Sequence, residues 1–253
     1  MNSTLVASIA FACIFGGALL GLFLRALLPD HHLNAEGRDV VKMGAGLIAT
    51  LAALVLGLLV SSAKSSMDTM SSELTQMSAK VIMLDRILAN YGPETKDVRD
   101  MLRGSTATVI QSVWPEEQAG QAREESSKIA SNLETIQEKL REQSPRNESQ
   151  RQLHSQALQA AAELAQARWL LIEQTQSQLP KAFLIILIFW LITLFVSFGM
   201  LAPRNSTVIG VLIVCAVSVS GAIFLILEMN TPLTGMIKVS SAPLRNALDH
   251  LGK

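Results

Sequence analysis

Four long apolar runs constrain this chain more than any other feature in it. Leu5 to Leu28 is interrupted only by Arg25, while Met43 to Ala63, Ala182 to Ala202 and Ser206 to Leu227 carry no charged residue. Each is long enough, at about 20 residues, for a helix to cross a hydrocarbon core roughly 30 Å thick. Lipid offers the backbone no hydrogen-bond partner, so a spanning segment must be a helix or part of a closed barrel. Nothing in the chain alternates with period two, which leaves helices. The first run lacks a basic leading segment and exceeds the roughly 7 to 15 residues of a secretory signal core, so it reads as a retained span. Between the second and third runs the character reverses: residues 64–181 hold 14 of the 21 basic and 16 of the 21 acidic side chains. The expected architecture is an all-α integral membrane protein with four transmembrane helices and a helical bundle inserted between spans two and three. Its parts are 1–63 (spans one and two), 64–179 (the bundle), 180–228 (spans three and four) and 229–253 (an amphipathic C-terminal tail).

Charge and motif content then exclude functions. Twenty-one basic residues against 21 acidic ones leave no basic excess to attract nucleic acid. The sequence has no phosphate loop, nucleophile elbow or paired-histidine zinc motif, and no cysteine outside the apolar runs, so neither an enzyme nor a bound cofactor is expected. The acidic pairs Glu116–Glu117 and Glu124–Glu125 sit in a strongly polar stretch and read as solvated face. Cys13 and Cys215 fall near the middle of the first and fourth spans, where burial as small apolar residues is the ordinary fate. His31 and His32 are adjacent, so their side chains diverge, and no acidic or cysteine partner has metal-ligand spacing; no metal is expected. The sequons at Asn2, Asn147 and Asn205 lie on both sides of the membrane under any four-span topology.

The polar block carries helical periodicity. Met67, Met70, Leu74, Met77, Val81, Leu84, Leu88 and Tyr91 recur at steps of three and four, and no breaker separates them from the second span. One helix is therefore expected from Met43 to Tyr91, about 73 Å long at 1.5 Å per residue. Gly92 and Pro93 stop it, and Pro93 is suited to open a second helix with Val98, Leu102, Val109 and Val113 on its apolar face. Trp114 and Pro115 mark the next break. A third helix carries Ile129, Leu133, Ile136 and Leu140, and a fourth, from about Glu148, carries Leu153, Leu164 and Leu171 before Pro180 leads into the third span. In the tail, Ser241 can cap a helix whose Leu244, Leu248 and Leu251 share one face, with Lys238, Arg245 and Lys253 expected to meet anionic headgroups or the adjacent block.

Small residues indicate how the spans pack. Ala45, Ala49, Ala53, Gly57, Ser61 and Ser65 recur every four residues along the second span and its extension, as do Cys13, Gly17 and Gly21 in the first. Such ladders let helix backbones approach closely where lipid supplies no hydrophobic drive. Two readings fit: contacts within one subunit, or a second-span face near the axis of an oligomer. Among the charges at span ends, Arg25 can snorkel to headgroups, with Glu36 or Asp39 as partner, or stand at an anion pathway. Glu228 opposes the macrodipole at the end of the fourth span, with Lys64 and Lys181 on its side of the membrane. Hydroxyls such as Thr50, Ser61, Thr193, Ser197, Ser218 and Ser220 are the spans' main polar groups, so a pore would form between subunits rather than inside one.

Several segments resemble a known family. Gly21 to Pro29 with His32 and Leu33, Asp39 to Lys42 running into MGAGLIATLAALVLGLLVSSAKSS (Met43 to Ser66), LDRILANYGP (Leu84 to Pro93), SFGMLAPRNST (Ser197 to Thr207) and CAVSVSGAIFLILEMNTPLTGMIKVSSAPL (Cys215 to Leu244) are similar to those of bestrophin-like membrane proteins. The resemblance covers essentially the whole chain. It implies kinship with bestrophins, which are pentameric anion channels with four spans and a helical cytoplasmic region. A homo-oligomer (a pentamer by that analogy) in a bacterial inner membrane follows as the expectation, with the lipid bilayer and inorganic ions as its partners. The acidic calcium-binding cluster and aromatic neck of animal bestrophins are missing here, so calcium gating is not carried over.

Two function classes remain: an oligomeric ion channel, or a membrane-anchored sensory or interaction scaffold that uses the bundle. Four spans favour the channel, because an anchor needs one or two. Pore or packing candidates are Ala45, Ala49, Ala53, Gly57, Ser61, Arg25, Glu228, Asn230, Pro232 and Gly235. Arg25 would favour anions and Glu228 cations; kinship favours anions. Orientation follows from basic residues near span ends: Lys64, Lys80, Arg168, Lys181, Lys238 and Arg245 on the block side outnumber Arg25, Arg38, Lys42 and Arg204 on the other. The termini and the block are therefore predicted to be cytoplasmic. A cysteine introduced into the block should resist a membrane-impermeant thiol reagent in intact cells, and ready labelling would invert the topology.

Overall fold

The computed structural model describes residues 2–27, 35–114, 129–176, 181–203, 205–233 and 235–253. Pro29, His31, His32, Leu33, Pro115, the pairs Glu116–Glu117 and Glu124–Glu125, Pro180 and Arg204 lie outside the described residues. The helices in chain order are α1 (Ser3–Leu27), α2 (Ala35–Tyr91), α3 (Lys96–Val113), α4 (Ile129–Glu142), α5 (Glu148–Gln176), α6 (Lys181–Leu201), α7 (Ser206–Met229) and α8 (Ala242–His250). Among the described residues there is no strand, and α1, α2, α6 and α7 are long and apolar enough to cross a membrane. The protein is an all-α membrane protein.

α2 is longer than the sequence reading allowed. It has 57 residues and begins at Ala35 rather than Met43, so residues 35–42 are helix and not connecting loop. The physical reason lies in its first turns, where Glu36 favours the positive end of the helix dipole and the Asp39 carboxylate accepts from Lys42 Nζ one turn later at 3.1 Å.

The chain forms two compact units. One comprises Met1–Ser66, Gln178–Thr231 and Gly235–Ile237; the other comprises Met67–Ser177, Pro232–Thr234 and Lys238–Lys253.

In the first unit, α1 packs along α6 and α7. Its ladder residues Gly17 and Gly21 lie against α6: a Cβ on Gly17 would sit 3.2 Å from Ile192 Cγ2, and one on Gly21 would overlap the main chain at Val196 and Met200. From the other side, a Cβ on Gly199 would overlap the main chain of Ala18 and lie 3.1 Å from Gly21 Cα. Contact partners that advance together along both helices mean that α1 and α6 run parallel. The third ladder position departs from expectation. Cys13 is exposed on the protomer, as is Cys215, so neither is buried among apolar neighbours of its own chain.

In the second unit the heptad positions of α2 are core. Met70, Leu74, Met77, Val81, Leu84, Leu88 and Tyr91 are all buried. All but Tyr91 divide between two clusters: Met77, Val81, Leu84 and Leu88 pack with α3, α4 and α5 through Val98, Leu102, Ile136, Leu140 and Leu164, and Met70 and Leu74 pack with Ile110, Trp114, Val239 and Leu244. At the end of α2, Gly92 takes a φ of 138° that other residues avoid, and a 3-10 turn at Pro93–Thr95 precedes α3. Thr95 Oγ1 donates back to the carbonyls of Leu88 (2.6 Å) and Gly92 (2.9 Å), which satisfies acceptors the helix end leaves open. The Asn147 side chain caps α5 by accepting from Gln150 N–H at 2.8 Å.

The tail helix forms where the leucine spacing puts it, but its surroundings differ from the reading. Leu244 and Leu251 are buried in the two clusters and Leu248 packs against both, so its apolar face is spent on the block rather than on lipid. Nor does Ser241 cap α8 with its side chain; its hydroxyl instead accepts from Arg245 Nε at 2.9 Å.

One buried ion pair ties this unit together. Asp85, within the LDRILANYGP segment, is 1% exposed and receives Arg99 Nε and Nη2 at 2.8 and 2.9 Å. Arg99 Nη2 also donates to the main-chain oxygen of Lys253 at 3.3 Å, and Gly252 N–H reaches Asp85 Oδ2 at 3.4 Å. The hydrogen bond to Asp85 is the main cause that raises the Arg99 pKa above its ordinary value. A raised arginine pKa contributes stability that is complete below the unfolded value and lost only as pH passes the folded one, so neutral and mildly alkaline pH leaves the arginine's part intact. Arg99→Ala strands a buried carboxylate and should lower stability by about 3–5 kcal/mol. Thermal unfolding in detergent checks this, with Lys96→Ala as an exposed-pair control expected to change little.

Candidate functional site

The candidate residues collect at the two ends of the span unit and along α2. At one end stands Arg25, in the last turn of α1. Because α1 and α6 are parallel, that turn lies beside the C-terminal end of α6, whose last carbonyls have no partner within the helix. Arg25 Nη1 donates to Leu201 O at 3.2 Å and also to Ala202 O. A half-buried cation there completes the hydrogen bonding of α6 and complements the negative end of its dipole. Asp39, one of the two expected carboxylates, pairs with Lys42 instead.

Glu228 occupies the last turn of α7. It is 4% exposed, which for a carboxylate demands hydrogen bonding. The partner comes from the main chain: Oε2 accepts from Met236 N–H. Three further bonds shape the segment between them. Thr231 N–H donates to Glu228 O at 3.1 Å, Thr231 Oγ1 to the same oxygen at 3.2 Å, and Gly235 N–H to Thr231 O at 3.0 Å. A Cβ on Gly235 would stand 2.6 Å from Glu228 Oε2 and 3.0 Å from Thr231 Oγ1, so any larger residue there would displace the Glu228 carboxylate. Asn230 is the C-cap residue of α7, its N–H donating to Ile226 O at 3.1 Å. Pro232 belongs to the second unit, where it is buried and its carbonyl accepts from Val239 N–H at 2.8 Å. Val239 O in turn accepts from the buried Trp114 Nε1–H at 2.9 Å. Thus Glu228, Asn230 and Gly235 form one local constellation, and Pro232 takes part in another.

Along α2 the small-residue ladder does not keep to one face. A step of four residues turns a helix by about 40° beyond a full circle, so five rungs wander through about 160°. Accordingly Ala45 is buried, Ala49 half-buried, and Ala53, Gly57 and Ser61 are exposed; a Cβ on Gly57 would have no heavy atom within 4 Å. The line that stays buried recurs every seven residues instead: Ala45, Ala52 and Leu59. Beyond the span, Ser65, Thr69, Ser72, Gln76, Ala79 and Met83 form an exposed stripe without a charge. Most hydroxyls singled out in the spans are satisfied inside their own helices, Thr50 by Gly46 O, Thr193 by Phe189 O, Ser197 by Thr193 O and Ser218 by Val214 O. Ser220 Oγ is buried without a partner among the described residues.

The family model for the bestrophin-like domain matches residues 12–244. The chain belongs to the bestrophin-like family. The match takes in α2, the Glu228 constellation and the Asp85–Arg99 pair, so the family's shared segment reaches into both compact units. No curated protein and no solved structure matches the chain.

Sequence reasoning named Glu228 and Gly235 but missed their connectors, Thr231 and Met236, because a main-chain donor leaves no trace in residue type. It also named Gly21 without its counterpart Gly199, which recurs in the SFGM segment as the only small hydrogen side chain there. Arg25→Met should uncap α6 and lower the thermal stability of the detergent-solubilised protein by about 1–3 kcal/mol, with Arg25→Lys retaining part of it. An unchanged melt for Arg25→Met would return Arg25 to the headgroups.

Proposed function

We propose that this protein is a homo-oligomeric ion channel of the bestrophin-like family, anion-conducting, with α2 nearest the symmetry axis. The observation that carries the reading is the exposed, uncharged stripe of α2. Its block is dense in charge, yet Ser65, Thr69, Ser72, Gln76, Ala79 and Met83 present none. Around a symmetry axis every residue faces its own copies, so a charged stripe there would repel itself, whereas hydroxyl, amide and thioether groups do not. Within the span, the exposed small residues Ala53, Gly57 and Ser61 permit close helix approach. Selectivity set by residues ringing such an axis is the ordinary basis of conduction. The anion preference and a pentameric count rest on the kinship that the family name implies. Arg25, bonded to α6, and Glu228, bonded to Met236, are each committed within the protomer, so neither serves this reading as a free pore charge.

The orientation is part of the same proposal: termini and block in the cytoplasm of a bacterial inner membrane, with no enzymatic reaction and no nucleic-acid partner. A second reading, a membrane-anchored scaffold, is favoured by one observation. Trp169 and Leu170 on α5 are 67% and 49% exposed, large apolar groups of the kind protein partners cover.

Planar-bilayer recording of the reconstituted protein should give unitary currents that reverse near the chloride potential. Ala53→Leu or Gly57→Leu, which meet open space in the protomer, should reduce those currents while leaving the protomer's stability unchanged. Silence across voltage and pH from folded, oligomeric protein would favour the scaffold.

A further inference from the structure

A carboxylate near the end of a spanning helix invites the reading of a bare charge that selects ions. The geometry around Glu228 points elsewhere. We propose that Glu228 is a latch: its carboxylate holds the Gly235–Met236 segment against the end of α7, and its role in conduction is to fix that segment rather than to set ion selectivity. The second half of this statement rests on the channel reading; the first does not.

Four observations carry it. The side chain is 4% exposed, so the group is withdrawn from the water through which a mouth charge would act on passing ions. Oε2 is engaged by a main-chain N–H, a charge-assisted bond of the stronger class. That bond offsets the unfavourable position of a carboxylate at the negative end of a helix dipole, which otherwise has no evident reason to be tolerated. The chain is also shaped to deliver the N–H: the Thr231 O to Gly235 N–H bond at 3.0 Å closes the turn, and a Cβ on Gly235 would stand 2.6 Å from the carboxylate oxygen. Loss of the carboxylate or of the turn, or addition of a Cβ at position 235, should release the same segment. The Met236 side chain, 81% exposed, is what the latch holds outward.

Two substitutions separate latch from charge. Glu228→Gln removes the charge but keeps an oxygen able to accept the Met236 N–H. Gly235→Ala keeps the charge but drives a methyl group into the carboxylate. Amide hydrogen exchange of a peptide containing Met236, measured on the full chain in detergent, should rise only slightly in Glu228→Gln, whose neutral amide oxygen still accepts a weaker bond. It should be about tenfold faster in Gly235→Ala and in Glu228→Ala, the scale expected when one charge-assisted hydrogen bond no longer limits local opening. In bilayers, Glu228→Gln should leave the reversal potential unmoved, and Gly235→Ala should change open probability without changing selectivity. Equal exchange in wild type and Glu228→Ala would overturn the latch outright. A shifted reversal potential in Glu228→Gln would overturn its claimed role. If the wild-type protein passes no current, the channel reading falls, and the exchange pattern alone still decides whether the latch exists.

Discussion

A single unbroken helix must satisfy two solvents in succession, and the rest of the protein is arranged around that requirement. α2 runs for 57 residues, about 85 Å at 1.5 Å per residue. Its sequence contains no proline, so between its two ends its backbone hydrogen bonds are satisfied internally, which lipid demands and water merely allows. What changes along it is the side-chain surface. In the span its exposed positions include Leu47, Leu54 and Leu58; past the span the exposed positions turn to Ser65, Thr69 and Gln76, while the opposite heptad line becomes the core of the block. Continuity of the backbone with a change of surface is what gives one helix a place in both compact units.

The charges near the span ends share a second logic. Arg25 and Glu228 are not paired with each other or with a mobile side chain on the opposite side of a loop. Each is bonded to main-chain groups that would otherwise lack a partner, carbonyls at the end of α6 for Arg25 and the Met236 N–H for Glu228. A backbone partner has a fixed position and loses no rotamer freedom on binding, so it orders its charge more cheaply than a long side chain would. Buried charge in this protein therefore sets chain geometry. The Asp85–Arg99 pair acts the same way in the other unit, where it gathers α2, α3 and residues 252–253.

Much of this was legible in the sequence because apolar periodicity is a property of residue type. The four spans, the heptad core of α2, the breaks at Gly92–Pro93 and at Trp114, and the leucines of α8 follow from it. The misses have a common cause as well. Where α2 begins depended on local pairing at Glu36, Asp39 and Lys42, which favours helix only weakly and competes with a loop reading. The four-residue ladder looked like one face, yet the mismatch between 4 and 3.6 residues per turn carries it around the helix. The partners of Arg25 and Glu228 were main-chain atoms, and residue type does not announce those. Ser241 was chosen as a cap from its identity, but the structure commits its hydroxyl to Arg245.

The central claim is that the exposed neutral stripe of α2 is covered by further copies of the same chain. The most direct test is the subunit count of the purified protein in mild detergent, read by native mass spectrometry. The account predicts a single closed oligomer whose mass is an integral multiple of the 27.4 kDa chain, and one that dissociates when Thr69 and Gln76 are both replaced by Glu. A monodisperse monomer, or an oligomer indifferent to those charges, would contradict it.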